Sequence, residues 1–405
     1  MSKRSTILIL SSILASNTSG MALYTYLPRY LEYIGTNISL IPLIISIFAL
    51  TSVLFPPIMG KVSDKIQNRF IFGLIGAVGL LISFLLLLFI KVLWIINLIL
   101  FFYGFSTASG GLIFVLYAEI VENDKRFISL YNAMIALGWF IGAFLCGIYV
   151  DLYGISNIFY FFLTFSILNL IFVLFIKEDR TLILKHSDIA SNISDEKDII
   201  NLTNEPVPIS KSIYPALFFR NFGVRPVLSI IAIFMALHLS TDAEIGFLVG
   251  INPLIQFFLI LIVGEFLIKD DNIKPLMVIG YLLSAISILG YILSTDFLGF
   301  LFYQIIISLS YSLFWTTTQV YITKNTNPAN KGRYVGYSNA SFFLGSFAGA
   351  FFYSNLINYF SNYYMAMYFM IIFPAMASLT ILLGFNKKEK NEGLSRSSKT
   401  DINAG

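Results

Sequence analysis

Few residues in this 405-residue chain can do acid–base chemistry, and most of those sit near the ends of apolar segments. Arg29 and Glu32, three apart, share one helical face and can pair with each other. His238 has an imidazole that can carry a proton; Asp242 and Glu244 follow it. Glu119 and Glu265 border apolar segments, and no carboxylate falls at a segment centre. Ionisable groups deep in a bilayer are costly and mark transport or proton pathways. Their scarcity predicts a pathway lined by neutral groups. Those are abundant: Tyr24, Tyr103, Ser106, Asn132, Trp139, Asn252, Gln256, Gln304, Tyr311, Trp315 and Asn339. Together with His238 they are the candidate substrate contacts. An amide offers donors and an acceptor without ionising, so this set suits a neutral or amphipathic small molecule.

Catalytic patterns are missing. No Gly-x4-Gly-Lys-Ser/Thr loop cradles a nucleotide, so ATP is not the expected energy source. Two His and one Cys cannot build a Cys/His metal cluster. No Gly-x-Ser-x-Gly elbow or His-Glu-x-x-His pair supports a hydrolase. No enzyme activity, cofactor, metal or nucleic-acid partner is expected. The single Cys146 forms no internal disulfide.

The elements that must position these residues follow from composition. Hydrophobic types fill 57% of the chain and charged types 12%, against about 45–50% and 25% in soluble domains. Twelve membrane helices of about 20 residues would use roughly 240 positions, close to the apolar total. Twelve apolar runs bounded by charge fit: 7–28, 40–59, 70–90, 94–117, 128–150, 157–176, 217–239, 245–268, 275–294, 297–322, 335–358 and 364–385. Hydrocarbon supplies no hydrogen-bond partners, so each crossing must be helical. The continuous apolar run Ser83–Ile90 excludes the alternation of a membrane β-barrel. Lys3, Arg4 and the run Thr6–Ala15 resemble a signal peptide, but the internal repeat supplies this segment with a partner helix, which favours an uncleaved first crossing.

With the amino terminus in the cytoplasm, all but Arg29 and Lys91 of the 26 Lys and Arg fall on the cytoplasmic side. This count places Arg220 and Arg225 at the entry to the seventh helix. It predicts both termini inside and twelve crossings of a cell membrane. Residues 1–176 form one six-helix bundle and 217–386 a second. Between them, 177–216 is a polar cytoplasmic linker with Pro206 and Pro208. Residues 387–405 read as a disordered tail.

The bundles repeat. At an offset of 207, Arg126, Asn132-Ala133, Leu137-Gly138 and Gly142-Ala143-Phe144 match Arg333, Asn339-Ala340, Leu344-Gly345 and Gly349-Ala350-Phe351. At 211, Ile34-Gly35 and Pro42-Leu43-Ile44 match Ile245-Gly246 and Pro253-Leu254-Ile255, and at 214 Met21-Ala22-Leu23 matches Met235-Ala236-Leu237. Parallel repeats of this kind build transporters with a site between the halves. The spaced pairs Gly138/Gly142 and Gly345/Gly349 allow close helix packing, either inside a bundle or between the halves. The equivalent amides Asn132 and Asn339 either bind substrate or hold their own bundles together.

The loop Gly60-Lys61-Val62-Ser63-Asp64-Lys65-Ile66-Gln67-Asn68-Arg69 resembles the loop signature of the major facilitator superfamily, with Gly60, Asp64, Lys65 and Arg69 in place. Gln67 stands where the family prefers Gly, and Asn68 where it prefers a basic residue. Pro28, Tyr30 and Gly35 resemble the end of the family's first helix, and Gly147, Asp151 and Gly154 that of its fifth. The fourth helix keeps Gly104 but has Leu100 where an Arg is common, and Gly142 is followed by Ala143 rather than Pro. These departures speak against proton antiport and drug efflux. The resemblance implies an all-α polytopic membrane protein of two pseudo-symmetric six-helix bundles. It implies a monomeric secondary transporter, embedded in the lipid bilayer, that moves a small molecule by alternating access. A proton is the coupling ion to consider. Passive facilitation on the same fold and a non-transporting membrane sensor are the rival readings.

The resemblance also makes Gly60, Asp64, Lys65 and Arg69 a cytoplasmic latch between the halves. One charge-assisted contact is worth roughly 1.5–3 kcal/mol where desolvated. Asp64→Asn is therefore expected to leave the protein folded but shift the ratio of its two access states about tenfold or more. Unchanged transport and unchanged cytoplasmic labelling in the mutant would remove the latch.

Overall fold

The computed structural model describes residues 3–66, 68–121, 125–176, 209–269, 271–326 and 328–385. Residues 177–208 of the expected linker 177–216 lie outside them, as does the tail; the helix that follows already starts at Ile213. Helices account for the architecture, with no strand among the described residues. The first half comprises α1 (Lys3–Tyr33), α2 (Ile41–Ile66), α3 (Arg69–Phe89), α4 (Leu93–Gly110), α5 (Ile113–Ile120), α6 (Lys125–Tyr153) and α7 (Ile158–Leu174). The second comprises α8 (Ile213–Ser229), α9 (Ile231–Ala236), α10 (Asp242–Ile262), α11 (Ile273–Leu293), α12 (Phe297–Lys324), α13 (Pro328–Phe360), α14 (Tyr363–Met370) and α15 (Ile372–Gly384). The pairs α4–α5, α8–α9 and α14–α15 each serve as one crossing.

Among the described residues, eleven helical spans are long and apolar enough to cross a membrane. The twelfth crossing, α8–α9, is broken, and the cause is local. Ser229 Oγ takes the Pro226 carbonyl at 2.6 Å, so the Ile230 N–H turns to Val227 O instead of closing an α-turn. The boundaries of the apolar runs hold to within several residues. Gly35 and Gly154 close the ends of α1 and α6 with φ of +83° and +81°, a left-handed conformation that glycine adopts without strain.

Packing follows the repeat. In the first half α1 lies against α6 and α7, and α4 against α2 and α3. In the second, α8 lies against α13 and α15, and α12 against α10 and α11. The halves meet through α6 with α10 and α2 with α13. Inside each half the glycine pairs admit backbone to backbone. A Cβ on Gly142 would strike the Thr18 carbonyl of α1, and one on Gly349 the Phe222 carbonyl of α8. Both pairs therefore pack within a bundle, not between the halves. The close approach between halves belongs to other glycines. A Cβ on Gly246 would strike the Ala143 carbonyl, and one on Gly147 the Asp242 carbonyl.

Those contacts gather at one end of the molecule, where a polar clasp joins the halves. The Asp151 carboxylate accepts the N–H groups of Asp242 at 2.7 Å and Ala243 at 2.8 Å. It thereby caps the amino terminus of α10 from the opposite half, where the helix dipole favours an anion. Thr241 and Glu244 add a capping box to the same turn. Tyr26 Oη donates to the Asp242 carbonyl at 2.7 Å. The Arg29 guanidinium pairs with the Asp242 carboxylate, not with Glu32, because α10 brings a closer anion than its own helix does. One apolar cluster spans both halves at this sealed end, containing Tyr26, Leu27, Val224 and Ile245. Toward the other end the core divides into a first-half cluster around Ile9, Ala77 and Tyr131 and a second-half cluster around Leu217, Tyr281 and Phe314. A Cβ on Gly60, Gly332 or Gly336 there would meet nothing within 4 Å.

Two predictions rest on this packing. Gly142→Ala and Gly349→Ala are each expected to lower stability by about 1–3 kcal/mol through overpacking. Gly336→Ala adds a methyl in open space and gains about 1 kcal/mol of helix propensity. Thermal unfolding in detergent reads both, and equal effects at the three sites would refute the packing account. Asp151→Ala removes two solvent-facing charge-assisted bonds, together worth about 1–2 kcal/mol, and is expected to raise opening of the sealed end about five- to thirtyfold. A Phe247→Cys reporter in a Cys146→Ala background, labelled with an impermeant maleimide, measures it. An unchanged labelling rate would show that the clasp does not hold the halves.

Candidate functional site

Between the two halves lies a cavity of about 700 Å³. It stops short of the clasp and runs toward the end where the core divides. Its first-half wall is aromatic and hydroxylic, built from Asn17 and Tyr24 on α1, Phe48 and Thr51 on α2, Tyr103 and Thr107 on α4, and Trp139 on α6. Phe48 packs edge-on against Tyr103 at 5.5 Å and lies 6.4 Å from Tyr24. The second-half wall brings Asn252 and Gln256 from α10, Gln304, Tyr311 and Trp315 from α12, and Asn339 and Phe342 from α13. Nine of the twelve candidate contacts thus share one cavity: Tyr24, Tyr103, Trp139, Asn252, Gln256, Gln304, Tyr311, Trp315 and Asn339.

Three do not border it. Ser106 is fully buried in the contact between α3 and α4. Its Oγ donates to the Phe102 carbonyl at 2.9 Å and fills the space above Gly79. Asn132 is exposed near the start of α6, so the repeat does not make it the counterpart of Asn339 in the cavity. His238 follows α9 at the sealed end, beside the Phe234 and Phe300 rings, with Nε2 3.4 Å from Tyr364 Oη.

The amides on the second-half wall are partly committed to one another. Gln256 Nε2 donates to Asn252 Oδ1 at 2.6 Å, and Asn252 Nδ2 donates to Gln304 Oε1 at 3.0 Å. Ser308 Oγ donates to the Asn252 carbonyl at 3.2 Å. This chain locks α10 to α12 and fixes the orientation of Asn252. Farther along, Tyr311 stacks on Trp315 with ring centres 6.0 Å apart, and Trp315 meets Phe342 at 5.2 Å.

Arg220 and Arg225 also line this cavity, and this corrects two expectations. They do not stand with the cytoplasmic cations at the entry to a helix, and the pathway is not nearly uncharged. α8 starts at Ile213, so Arg220 sits two turns inside the crossing. Its side chain is 2% exposed. Nε donates to Ser284 Oγ at 3.1 Å and Nη1 to Asn221 Oδ1 at 3.0 Å, with the guanidinium 4.6 Å above the Phe314 ring. Arg225 lies 5.1 Å over Phe342, and its Nε is buried without a hydrogen bond. It also borders a smaller cavity of about 120 Å³ with Ser52 and Ser346. A lysine or arginine near a helix start reads as a topological charge. The usable signal was the apolar sequence on both sides, Tyr214–Phe219 and Val227–Leu237, which encloses the two arginines.

The proposed latch lies at the open end. Arg69 donates to Ser63 Oγ, and Asn68 caps α3 by accepting from the Ile71 N–H at 3.1 Å. The Asp64 side chain lies outside the described residues. Among those residues no group of three or more His, Cys, Asp and Glu is placed to hold a metal.

The same fold carries known transporters. The nucleoside transporter NupG superposes with a TM-score of 0.76 at 13% identity, over 95% of this chain and 100% of that one. A POT family transporter solved with 5-aminolevulinic acid gives 0.72 at 13% identity, over 94% and 96%. By sequence, an uncharacterised MFS-type transporter of Methanocaldococcus jannaschii is 25% identical over 338 residues, 79% of this chain and 83% of that one. The class H tetracycline resistance protein of Pasteurella multocida is 25% identical over 175 residues, 42% of each chain. The model of the MFS_1 like family matches residues 19–366. With most of its length inside that match and two six-helix bundles around a central cavity, the protein is a membrane transporter belonging to the MFS_1 like family.

Proposed function

We propose that the protein is a secondary transporter without catalytic activity that carries a small amphipathic organic solute across a cell membrane by alternating access. One observation carries the reading: the 700 Å³ cavity between the halves is sealed at one end by the Asp151 clasp and runs toward the other. A pathway closed at one end at a time is what alternating access requires. The distribution of cations supports the orientation. Lys65, Arg69, Arg126, Lys211, Lys269 and Arg333 cluster at the open end, while Arg29 and Lys91 stand at the sealed end. By the positive-inside bias the open end and both termini are cytoplasmic, and the conformation is inward-open. The cavity is large enough for a solute of the size that related folds carry.

A second reading, passive facilitation, has its own support. No Asp, Glu or His lines the cavity among the described residues, so its wall offers no proton carrier of ordinary pKa. Reconstituted vesicles separate the two. Substrate counterflow is expected in either case; accumulation that collapses with an ionophore identifies coupling, and its absence under every imposed ion gradient identifies facilitation. No counterflow for any ligand found by a thermal-shift screen would reject transport. Within that assay Asn339→Ala is expected to raise KM about two- to twelvefold, the loss of one neutral hydrogen bond, with thermal stability kept. Asn132→Ala is expected to leave KM unchanged.

A further inference from the structure

Among the described residues Arg220 and Arg225 have no carboxylate partner. Asp242 at the sealed end is taken by Arg29. Among the described residues Arg220 is held by neutral groups, the Ser284 hydroxyl, the Asn221 carbonyl oxygen and the Phe314 ring. Ser284 is braced in turn by Ser310 at 2.5 Å, so the guanidinium is fixed from three crossings. A guanidinium keeps its proton under all ordinary conditions. Burying that charge without a counter-anion is costly, and a cation–π contact offsets only part of the cost. An arginine retained this deep, on a wall facing a solute cavity, calls for an anion that the described residues do not supply.

The placement suits one ligand. Both arginines lie on α8, about 7.5 Å apart along the helix axis for five residues of rise. Tyr311 contacts the rings that carry both, Phe314 at 5.5 Å and Phe342 at 6.5 Å. The facing first-half wall is aromatic. Resting on the transporter reading above, we infer that the transported solute is an organic anion. Its carboxylate or phosphate is held by the guanidinium groups of Arg220 and Arg225, and its aromatic or apolar body lies against Tyr24, Phe48 and Trp139. Arg225, the more accessible of the two and with an unpaired Nε, makes the first contact, and Arg220 provides the deeper fixed charge. Neutralisation of the pair by the solute also lowers the charge that must be carried between access states.

Three soluble isosteres test this on the full-length protein in neutral detergent: 3-phenylpropionate, phenyl phosphate and 3-phenylpropanol. The readouts are thermal midpoint and quenching of tryptophan fluorescence, since Trp139 and Trp315 line the cavity. Saturable binding of at least one anion is expected, with no binding of the alcohol. Arg225→Gln should weaken it at least tenfold while the unliganded midpoint stays near that of the parent, and Arg225→Lys should restore part of the loss. Arg220→Lys, which keeps charge and bulk, should weaken the same anion. Binding of the alcohol alone, anion binding unchanged in Arg225→Gln, or no response to any of the three overturns the anionic assignment. Counterflow of another solute would still uphold transport in each case. Nanodiscs with and without phosphatidylglycerol provide the last arm. Stabilisation by that lipid that depends on Arg225, without binding of the soluble anions, assigns the arginines to a lipid headgroup and overturns the solute reading.

Discussion

The carboxylate of Asp151 on the amino terminus of α10 determines how the rest of the molecule is arranged. It offers two acceptor oxygens to two N–H groups that helix geometry leaves without partners. Because donor and acceptor come from opposite halves, satisfying that helix end also joins the halves. Arg29 and Tyr26 converge on the same Asp242, one by charge and one by a hydrogen bond to its carbonyl. Gly147 and Gly246 let the helices come near enough for this to happen. Held at one end, the two bundles separate toward the other, and the division of the apolar core into two clusters follows from that splay.

Glycines divide the labour of packing in a way that spacing alone does not reveal. Gly138 and Gly142 admit α1, and Gly345 and Gly349 admit α8, so each pair holds its own bundle rigid. The contacts between the halves rest on a different set, Gly147 and Gly246. Contacts within a half are buried backbone against backbone. The Asp151 bonds of the clasp lie in reach of water and can exchange to it at small cost.

The cavity's chemistry is asymmetric. The first half supplies rings and hydroxyls. The second supplies an amide chain and two cations on the broken crossing α8–α9. The break after Ser229 frees α8 from continuous helical register with α9. It leaves the arginine-bearing helix braced chiefly by α13 and α15. Charge, helix break and cavity wall therefore coincide on one element.

Composition and run length alone determined that the chain is a polytopic helical membrane protein, since hydrocarbon permits no other backbone arrangement for so many apolar runs. The two-bundle plan was equally legible in the matched Asn-Ala, Leu-Gly and Gly-Ala-Phe of the halves. Much of the cavity could be read as well, because a polar residue in an apolar helix has few places to go besides a cavity or a neighbour. Which of the two it finds was beyond the sequence. Ser106 fills the space above Gly79, His238 sits among rings at the sealed end, and Asn132 and Asn339 part company despite equivalent positions. Arg29 likewise leaves its neighbour Glu32 for Asp242, far off in the chain. Arg220 and Arg225 show the limit most plainly. Along the sequence they resemble the basic flank of a helix; only the fold, by starting α8 at Ile213 and closing α11, α12 and α13 around it, turned that flank into the charged wall of the cavity.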